Sequence, residues 1–302
     1  MTGTGEIEVT IGVVARARIP QLDRLADTVL ALDGPADREV VIAVETPDIT
    51  EPLESADALG RPGVRFLELP QARGLGYNRN RLIEAARGRI VVGVDDDCIP
   101  DPEWLAALIG ALADPAIDAV VGCTRIPPST WLGDSISSLG FPAGGNAGYE
   151  VMFHVGPDGA TDNIASGNCA IRAEALREVG GFDESMTWGG EDTDLSRRFL
   201  LAGKRIVYVP EAALTHPARA RLGDFVRWQF VRGRAKRQFA LTTPISGYVA
   251  ARLASHRRIL RAHLKDPKIL VITPLLGLSL LAQAAGYLAE SLQPRRSAGP
   301  SR

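Results

Sequence analysis

The chain has 302 residues, of which 45% are hydrophobic and 23% are charged. This length and composition allow one large domain, or one domain with an appendage, and exclude a disordered chain. Its cysteines, Cys98, Cys123 and Cys169, are odd in number and widely spaced, which argues against a disulfide framework or a structural zinc site and favours a reducing compartment. The first residues lack the basic and apolar regions of a secretory signal, so we expect the amino-terminal body to be cytoplasmic.

The net charge of -2 conceals a strong asymmetry along the chain. Residues 1–218 carry 18 basic and 33 acidic side chains, whereas residues 219–268 carry 13 basic and 2 acidic ones. A compact basic segment beside an apolar one is typical of a protein that meets an anionic surface, such as membrane headgroups, a diphosphate or nucleic acid. Few aromatic residues interleave the basic ones, which disfavours nucleic acid as a partner.

Short apolar segments alternate with segments of helical spacing over the first two thirds of the chain. The spacing predicts strands at 7–14, 40–44, 64–67, 90–94, 119–123, 166–172 and 205–209, helices at 22–32, 77–86, 104–112, 174–179 and 192–202, and an irregular stretch at 127–163. This order predicts an α/β fold with a mainly parallel sheet flanked by helices. Ligands of such sheets gather at the carboxyl ends of the strands.

The carboxy-terminal third predicts a helical appendage. Residues 269–289 contain no charged side chain and, as a helix, are long enough to cross the hydrocarbon core of a membrane. The alternative is a helix packed on the catalytic body or on a second subunit. The predicted organisation is a catalytic domain at 1–218, a basic helical segment at 219–268, a transmembrane or membrane-associated helix at 269–290 and a flexible tail at 291–302.

Three consecutive aspartates, Asp95, Asp96 and Asp97, follow the predicted strand 90–94. Like charges repel one another, and a fold tolerates them where a cation neutralises them. Asp95 and Asp97 are two residues apart, so at a strand end both can converge on one hard divalent ion. The alternative is an acidic turn before a helix.

A second polar cluster precedes the predicted helix 192–202 and consists of Trp188, Gly189, Gly190, Glu191 and Asp192. Acidic residues at a helix start are favoured by the helix dipole, so simple capping is the alternative explanation. The glycines allow close backbone approach, and the tryptophan offers an apolar or sugar-stacking face. Together they predict a lined cleft with a general base at its edge.

Two further segments carry candidate residues. His216 follows the last predicted strand and is a candidate metal ligand, although a lone histidine is more often structural. Gly74 and Gly76 precede a predicted helix that carries Arg79, and backbone amides at a helix start can hold a phosphate.

Taken in order, these segments resemble the family 2 glycosyltransferases of the GT-A fold. The resemblance covers about residues 7–217 and depends on GLGYNRN, VDDDCIP, SGNCAIR with GGF, WGGED and THP. It implies a nucleotide-diphosphate sugar as donor, a divalent metal (Mn²⁺ or Mg²⁺) and an inverting transfer to an acceptor hydroxyl. The basic segment and the apolar span resemble membrane-associated members that act in cell-surface polysaccharide or glycolipid synthesis.

The resemblance also implies roles for individual residues on the metal side. Asp97 matches the better metal ligand of the aspartate-x-aspartate motif, and Asp95 matches the residue nearer the ribose or the metal. Asp96 is the intervening residue on the donor side. His216 stands where members often place a further metal or diphosphate contact.

On the acceptor side, Asp192 occupies the place of the catalytic base, and Glu191 is expected to hold the acceptor or orient the base. Trp188, Gly189 and Gly190 are expected to line the acceptor site. The acceptor itself is expected to be a carbohydrate or a lipid-linked molecule.

On the nucleotide side, Arg79 falls where a basic residue commonly meets the nucleotide, and Gly76 belongs to the same loop. Val14 and Ala15 are expected to border the base pocket. Members usually follow the second strand with an acidic pair and a Gly-Ser turn, whereas here Glu45 is the acidic residue expected to take their place.

Two other functions stay open at this point. A sugar-phosphate nucleotidyltransferase shares a related sheet, but residues 12–16 lack its glycine- and lysine-rich phosphate loop. A non-catalytic carbohydrate- or membrane-binding subunit has little need of both acidic clusters. The expected location is the cytoplasmic face of the cell membrane, and the sugar, nucleotide, acceptor and oligomeric state are left open.

Overall fold

The structure is a computed structural model that describes residues 7–16, 19–45, 62–71, 73–141, 143–242 and 245–293. The predicted flexible tail lies almost entirely outside these residues. Within them the chain forms one sheet with helices on both faces and a helical appendage at the carboxy-terminal end. The prediction of an α/β fold with a flanked sheet and a helical appendage is confirmed.

Eight strands of the described chain form a single mixed sheet. They are β1 (Val9–Arg16), β2 (Arg38–Glu45), β3 (Val64–Leu69), β4 (Ile90–Asp95), β5 (Ile99–Pro100), β6 (Ala119–Arg125), β7 (Asn168–Arg172) and β8 (Ile206–Thr215). Their order across the sheet is β3-β2-β1-β4-β7-β6-β8-β5. The pairs among β1 to β4 and the β6–β8 pair are parallel, whereas β7 runs antiparallel to β4 and β6, and β5 runs antiparallel to β8.

Seven α-helices lie in the connections between the strands, and three follow the last strand in the described chain. They are α1 (Ile19–Leu30), α2 (Leu75–Ala85), α3 (Trp104–Ala111), α4 (Trp131–Ser137), α5 (Tyr149–Met152), α6 (Ala173–Glu178), α7 (Glu191–Leu201), α8 (Leu222–Thr242), α9 (Ile245–Ala262) and α10 (Ile269–Ser291). The stretch predicted to be irregular thus contains two short helices, α4 and α5.

The last strand is longer than the sequence predicts. The sequence predicts that the strand ends before Pro210 and Glu211, but β8 continues to Thr215. The register between β6 and β8 shifts between Gly122 and Cys123 because β8 has a bulge that includes the exposed residues Pro210 and Glu211. Pairing of the two strands resumes after the bulge. This extension brings the end of β8 to the edge where β4 ends, and so determines where His216 lies.

Two apolar clusters lie on the two faces of the sheet. Strand β2 contributes to both, because Val40, Ile42 and Val44 belong to one cluster and Val41 and Ala43 to the other. A strand covered on both faces reads as a continuous apolar run, as residues 40–44 do. The sheet is therefore the central layer of the molecule.

A third apolar cluster joins the appendage to the body that contains the sheet. It contains Leu139 from the end of α4, Phe225 of α8, Ile259 of α9 and Ile272 of α10. Helix α10 is long and apolar enough to cross a membrane by length and composition, but 39% of its most apolar window is buried within the protein. One face of α10 is therefore packed on the rest of the protein, as the alternative of a packed helix predicts.

Trp104 of α3 holds the start of β7 in place. Its ring is fully buried, and its Nε1 donates a hydrogen bond of 2.7 Å to Oδ1 of Asn168. Asn168 Nδ2 in turn donates to Thr124 Oγ1 of β6 at 3.3 Å. This chain of contacts holds the turn that carries Ser166 and Gly167.

We expect Trp104→Ala to lower the free energy of unfolding by about 3–5 kcal/mol, because it leaves a cavity and removes the donor to Asn168. Urea denaturation measures the change. The matched control is Trp131→Ala, since the Trp131 side chain is 54% exposed and its loss should cost less than about 0.5 kcal/mol. Equal effects of the two substitutions would contradict the burial described for Trp104.

Candidate functional site

The carboxylates of Asp95 and Asp97 lie at the carboxyl end of β4, in the middle of the sheet. A turn follows the strand, in which the amide of Cys98 donates to the carbonyl of Asp95 at 3.1 Å. The ligand atoms of Asp95, Asp97 and Cys98 all lie within 4.8 Å of one another. Burial and the nearby aspartates raise the pKa of the Cys98 thiol well above its usual range, which favours the carboxylates over the thiol as metal ligands.

His216, just after β8, completes this group of potential ligands. Its Nε2 lies 3.4 Å from Oδ2 of Asp97, and its Nδ1 lies 2.8 Å from the carbonyl oxygen of Pro217. Because a carbonyl only accepts, Nδ1 carries the hydrogen, and in the neutral ring the Nε2 lone pair faces a carboxylate. A cation between the two satisfies both atoms, so the residues present fit a divalent metal held by oxygen and imidazole ligands.

The guanidinium of Arg79, on α2, lies between three carboxylates. Its Nη2 is 3.7 Å from Oδ1 of Asp95, and its Nη1 is 2.5 Å from Oε1 of Glu191 and 3.1 Å from Oδ1 of Asp192. Burial lowers the pKa of Arg79, but Asp192, Glu191 and Asp95 outweigh it and raise the pKa above its usual value. The side chain is 12% exposed and is engaged by protein carboxylates, and the expected nucleotide contact of Arg79 stays a prediction.

Glu191 is the first residue of α7 and is almost completely buried. Burial and the neighbouring charge of Asp192 together raise the pKa of its carboxyl to about 7, against the opposing effect of Arg79. Its Oε1 binds Arg79, whereas its Oε2 is buried without a hydrogen-bond partner in the described chain. With its pKa raised, this carboxyl takes up a proton more readily than an ordinary glutamate does, and a protonated carboxyl can donate as well as accept a hydrogen bond.

Asp192 follows Glu191 and is more open, with 35% of its side chain exposed. Its Oδ1 accepts hydrogen bonds from Ser166 Oγ and from Arg79. Its Oδ2 has only a long contact of 3.5 Å from the amide of Ser166. Oδ2 is thus the atom that is free to take a proton, while Oδ1 holds the carboxylate in place.

The turn of Ser166 and Gly167 links the two acidic groups, and the sequence assigned it no role. Ser166 contacts Asp192, and a Cβ added to Gly167 would lie 2.1 Å from Oδ2 of Asp95. With the Asp95 carboxylate in this position a side chain at residue 167 would push it aside, which favours glycine there. The segment SGN belonged to the resemblance, and a glycine between two polar residues before a buried strand was the signal that could have identified it.

The glycines before α2 pack against the loop that precedes α7. A Cβ on Gly76 would lie 2.8 Å from the carbonyl oxygen of Asp183, and one on Gly74 would lie 3.0 Å from Cα of Thr187. Gly74 also has a φ of 103°, which favours glycine. Gly76, in the first turn of α2, thus allows two backbones to meet, and its expected place in a phosphate-holding loop stays a prediction.

The residues expected to border the nucleotide base divide into two groups. Val14 is paired with Asp95 across β1 and β4, is half-buried and lines a cavity beside Arg79. Ala15 is 1% exposed in the core, so its side chain cannot meet a ligand, because successive strand residues face opposite sides of the sheet. Glu45 ends β2 and accepts a hydrogen bond of 2.7 Å from Asn78 Nδ2 of α2.

The remaining predicted residues lie around these groups. Trp188 is half-buried, and the guanidinium of Arg234 covers one face of its ring at 3.6 Å. Gly189 and Gly190 have φ values of 103° and 92° and turn the chain into α7. Asp96 is half-buried between the two potential metal ligands.

The structure therefore joins a potential metal site to a potential base through one arginine. The sequence model of the glycosyl transferase family 2 matches residues 10–180, which is more than half of the chain. A second model, described as the N-terminal domain of galactosyltransferase, matches residues 148–219, where the WGGED segment lies.

Several curated proteins are similar to this chain. A pre-mycofactocin glycosyltransferase of Mycobacterium tuberculosis is 28% identical over 254 residues, which is 80% of this chain and 50% of that protein. A glucosyl-dolichyl phosphate glucuronosyltransferase of Haloferax volcanii is 23% identical, over 71% of this chain and 73% of that protein. The chain spans about half the length of the first of these relatives.

Two solved structures share the fold. A mannosyltransferase of Pyrobaculum calidifontis, in complex with GDP-Man and Mn²⁺, has a TM-score of 0.65 at 20% identity, over 94% of this chain and 87% of that one. GalNAc-T7 with UDP, GalNAc and Mn²⁺ has a TM-score of 0.56 at 15% identity, over 87% of this chain and 57% of that one. The matched fold, the order of the acidic segments and the family model agree, and the chain belongs to the glycosyl transferase family 2.

Proposed function

We propose that this protein transfers a sugar, with inversion, from a nucleoside diphosphate to a hydroxyl group of a carbohydrate or lipid-linked acceptor. The observation that carries the proposal is that Arg79 contacts both Asp95, beside the potential metal ligands, and Asp192, the carboxylate with a free oxygen. Asp95 and the potential metal ligands could thus act on a leaving diphosphate on one side of the ion-paired arginine, while Asp192 acts on an attacking hydroxyl on the other. A direct displacement of this kind inverts the anomeric centre.

The chain's own residues would act as follows. A divalent metal bound by Asp97, Asp95 and His216 would offset the negative charge that develops on the diphosphate. Oδ2 of Asp192 would take the acceptor's proton, while Arg79 and Ser166 hold Oδ1. Metal binding and proton uptake would thus be carried out by different carboxylates, the first by Asp97 and Asp95 and the second by Asp192.

Glu191 would contact the acceptor rather than take its proton. Its Oε2 is buried and unpartnered in the described chain, and burial together with the charge of Asp192 raises the pKa of the carboxyl to about 7. A second hydroxyl of the acceptor would satisfy this oxygen. Trp188 would pack the face of its ring that Arg234 does not cover against the same sugar.

The relatives support the donor and acceptor classes. The two solved neighbours bind GDP-Man or UDP with Mn²⁺, and the Haloferax protein is named for a lipid-linked substrate. Family membership does not by itself decide activity, since another relative is named an inactive N-acetylgalactosaminyltransferase-like protein. Release of diphosphate from a nucleotide sugar would support the proposal, whereas release of pyrophosphate from a triphosphate would favour the nucleotidyltransferase. If the protein released neither product, a non-catalytic subunit would be favoured.

We expect UDP or GDP to raise the melting temperature only when a divalent metal is present, because the ligand binds the native state through the metal. Mn²⁺ should act more strongly than Mg²⁺, because His216 adds an imidazole ligand and Mg²⁺ prefers oxygen. Asp97→Asn should abolish the metal-dependent shift, whereas the control Glu103→Gln, at an exposed position, should keep it. A shift that is independent of metal in the parent protein would contradict the metal assignment.

We expect Asp192→Asn to lower kcat by at least about 100-fold, because the amide cannot accept the proton. Binding of UDP or GDP with Mn²⁺, measured by titration calorimetry, should be unchanged, since Asp192 lies on the acceptor side. Transfer at a rate close to that of the parent protein would remove the base assignment.

We further propose that the protein works at the cytoplasmic face of a membrane, in cell-surface polysaccharide or glycolipid synthesis, with α10 bound at the membrane surface rather than across it. The inner face of α10 packs closely on α8, because Gly233 lies against the backbone of Gln283 and Gly286 lies against that of Phe230. Gln283 Nε2 also donates to Gln229 Oε1 at 2.6 Å. A helix tied to a neighbour by polar contacts cannot cross hydrocarbon alone.

The neighbouring helix α8 carries charged side chains along its length, among them Arg227, Lys236 and Arg237, so the pair is unsuited to hydrocarbon. The outer face of α10 is nevertheless apolar, with Leu270, Leu281 and Leu288 between 62% and 76% exposed. Exposed basic residues precede it, namely Arg257, Arg261 and Lys265. An apolar helix face with basic residues nearby is typical of binding to anionic membrane surfaces.

We expect the protein to sediment with vesicles of phosphatidylglycerol and phosphatidylcholine but not with vesicles of phosphatidylcholine alone. The double substitution of Leu281→Glu and Leu288→Glu should abolish sedimentation, since it places charge in the apolar face. The control Leu201→Glu, at a leucine of α7 that is 75% exposed, should bind as the parent protein does. Concentration-dependent dimerisation without vesicle binding would show that a second copy covers this face instead.

A further inference from the structure

The loop before α7 lacks regular structure of its own. Residues 186–190 form turns and bends, and both Gly189 and Gly190 have positive φ values. A Cβ on either glycine would have at most one neighbour within 4 Å, so packing does not restrict the chain there. Something outside the loop has to hold Trp188 and the start of α7 in place.

Two side chains of α8 contact this loop. The guanidinium of Arg234 lies 3.6 Å above the ring of Trp188. Gln238 Nε2 donates to Thr187 Oγ1 at 3.1 Å, and its Oε1 accepts a 3.4 Å hydrogen bond from the amide of Trp188. One stacked ring and two hydrogen bonds therefore attach the loop to α8.

One carboxylate of α10 holds both of these side chains. Arg234 Nε donates to Oε2 of Glu290 at 2.7 Å, and Gln238 Nε2 donates to its Oε1 at 3.2 Å. Arg234 and Glu290 are 15% and 14% exposed, so this ion pair is well shielded from water. Glu290 is the one acidic residue of α10, in a helix that otherwise carries no charge.

We infer that Arg234, Gln238 and Glu290 are positioning residues, which hold Trp188 and thereby the acceptor side of the site at the start of α7. This inference rests on the proposed function for its catalytic consequence, but the geometry it describes can be tested without activity. It also gives the appendage a second role, since the helix proposed to meet the membrane carries the carboxylate that holds the acceptor loop.

The competing explanation is that these residues only fasten α8 to α10. Arg237 provides the matched control, because its Nε donates to Ser291 Oγ of α10 at 3.0 Å and its guanidinium lies 5.9 Å from the ring of Tyr287. It joins the same two helices one turn from Arg234. Among the described residues it has no recorded contact with the loop.

The test is hydrogen–deuterium exchange of the full chain over residues 187–190. We expect Arg234→Ala and Glu290→Gln to speed exchange there by about 10-fold or more, and Arg237→Ala by less than about 2-fold. Arg234→Lys should restore little, because an ammonium keeps the charge but does not stack as the planar guanidinium does. Equal effects of Arg234→Ala and Arg237→Ala, or no effect of Arg234→Ala, would overturn the inference.

The catalytic consequence is measured by release of UDP or GDP from UDP-glucose or GDP-mannose with Mn²⁺ and water as acceptor. We expect Arg234→Ala to lower kcat about 10-fold with the donor KM unchanged, since the donor side is not in contact with the loop. A rise in donor KM with kcat unchanged would overturn the inference. If the parent protein releases no diphosphate, the proposed function fails, while the exchange measurement still decides whether these residues position the loop.

Discussion

The buried guanidinium of Arg79 is the interaction on which the site depends. Carboxylates from the end of β4 and the start of α7 come together around it, and without a cation they would repel one another at short range. Removing one partner of such a group leaves an uncompensated buried charge, which typically costs about 3–5 kcal/mol. Arg79 therefore holds the carboxylate at the end of β4 close to those at the start of α7.

Glycines make that convergence possible. Gly167 lies against the carboxylate of Asp95, and Gly76 lies against the backbone of Asp183, in both cases so close that a side chain would push the neighbouring group aside. Each brings together two segments that are far apart in sequence. The glycines of the characteristic segments thus serve chain-to-chain approach here, and the arginine then joins the acidic groups that this approach assembles.

The appendage is part of the same arrangement. Its helices pack on the body through an apolar cluster, and α8 and α10 meet through glycines and a small buried polar network around Gln283. The contacts of Arg234 and Gln238 with the loop at Trp188 extend this packing to the edge of the site. The helix proposed to meet a membrane and the loop proposed to line the acceptor site are thereby parts of one packed unit.

The sequence by itself determined the α/β alternation, the family and the positions of the acidic segments, because hydrophobic periodicity and short motifs are local properties of the chain. It predicted Asp95, Asp97 and His216 as one group, and the structure brings these side chains together. Only the tertiary structure decided that Arg79 is held by carboxylates and that Ala15 belongs to the core.

The tertiary structure also decided how the carboxy-terminal helix is placed, because its composition fits both a membrane span and a packed helix. Its composition records how apolar it is, whereas its neighbours decide which face is covered. Contacts between residues far apart in sequence, such as Glu290 with Arg234 or Ser166 with Asp192, leave no periodic signal in the chain. They follow from the packing of whole elements, and for that reason they became visible only in the folded molecule.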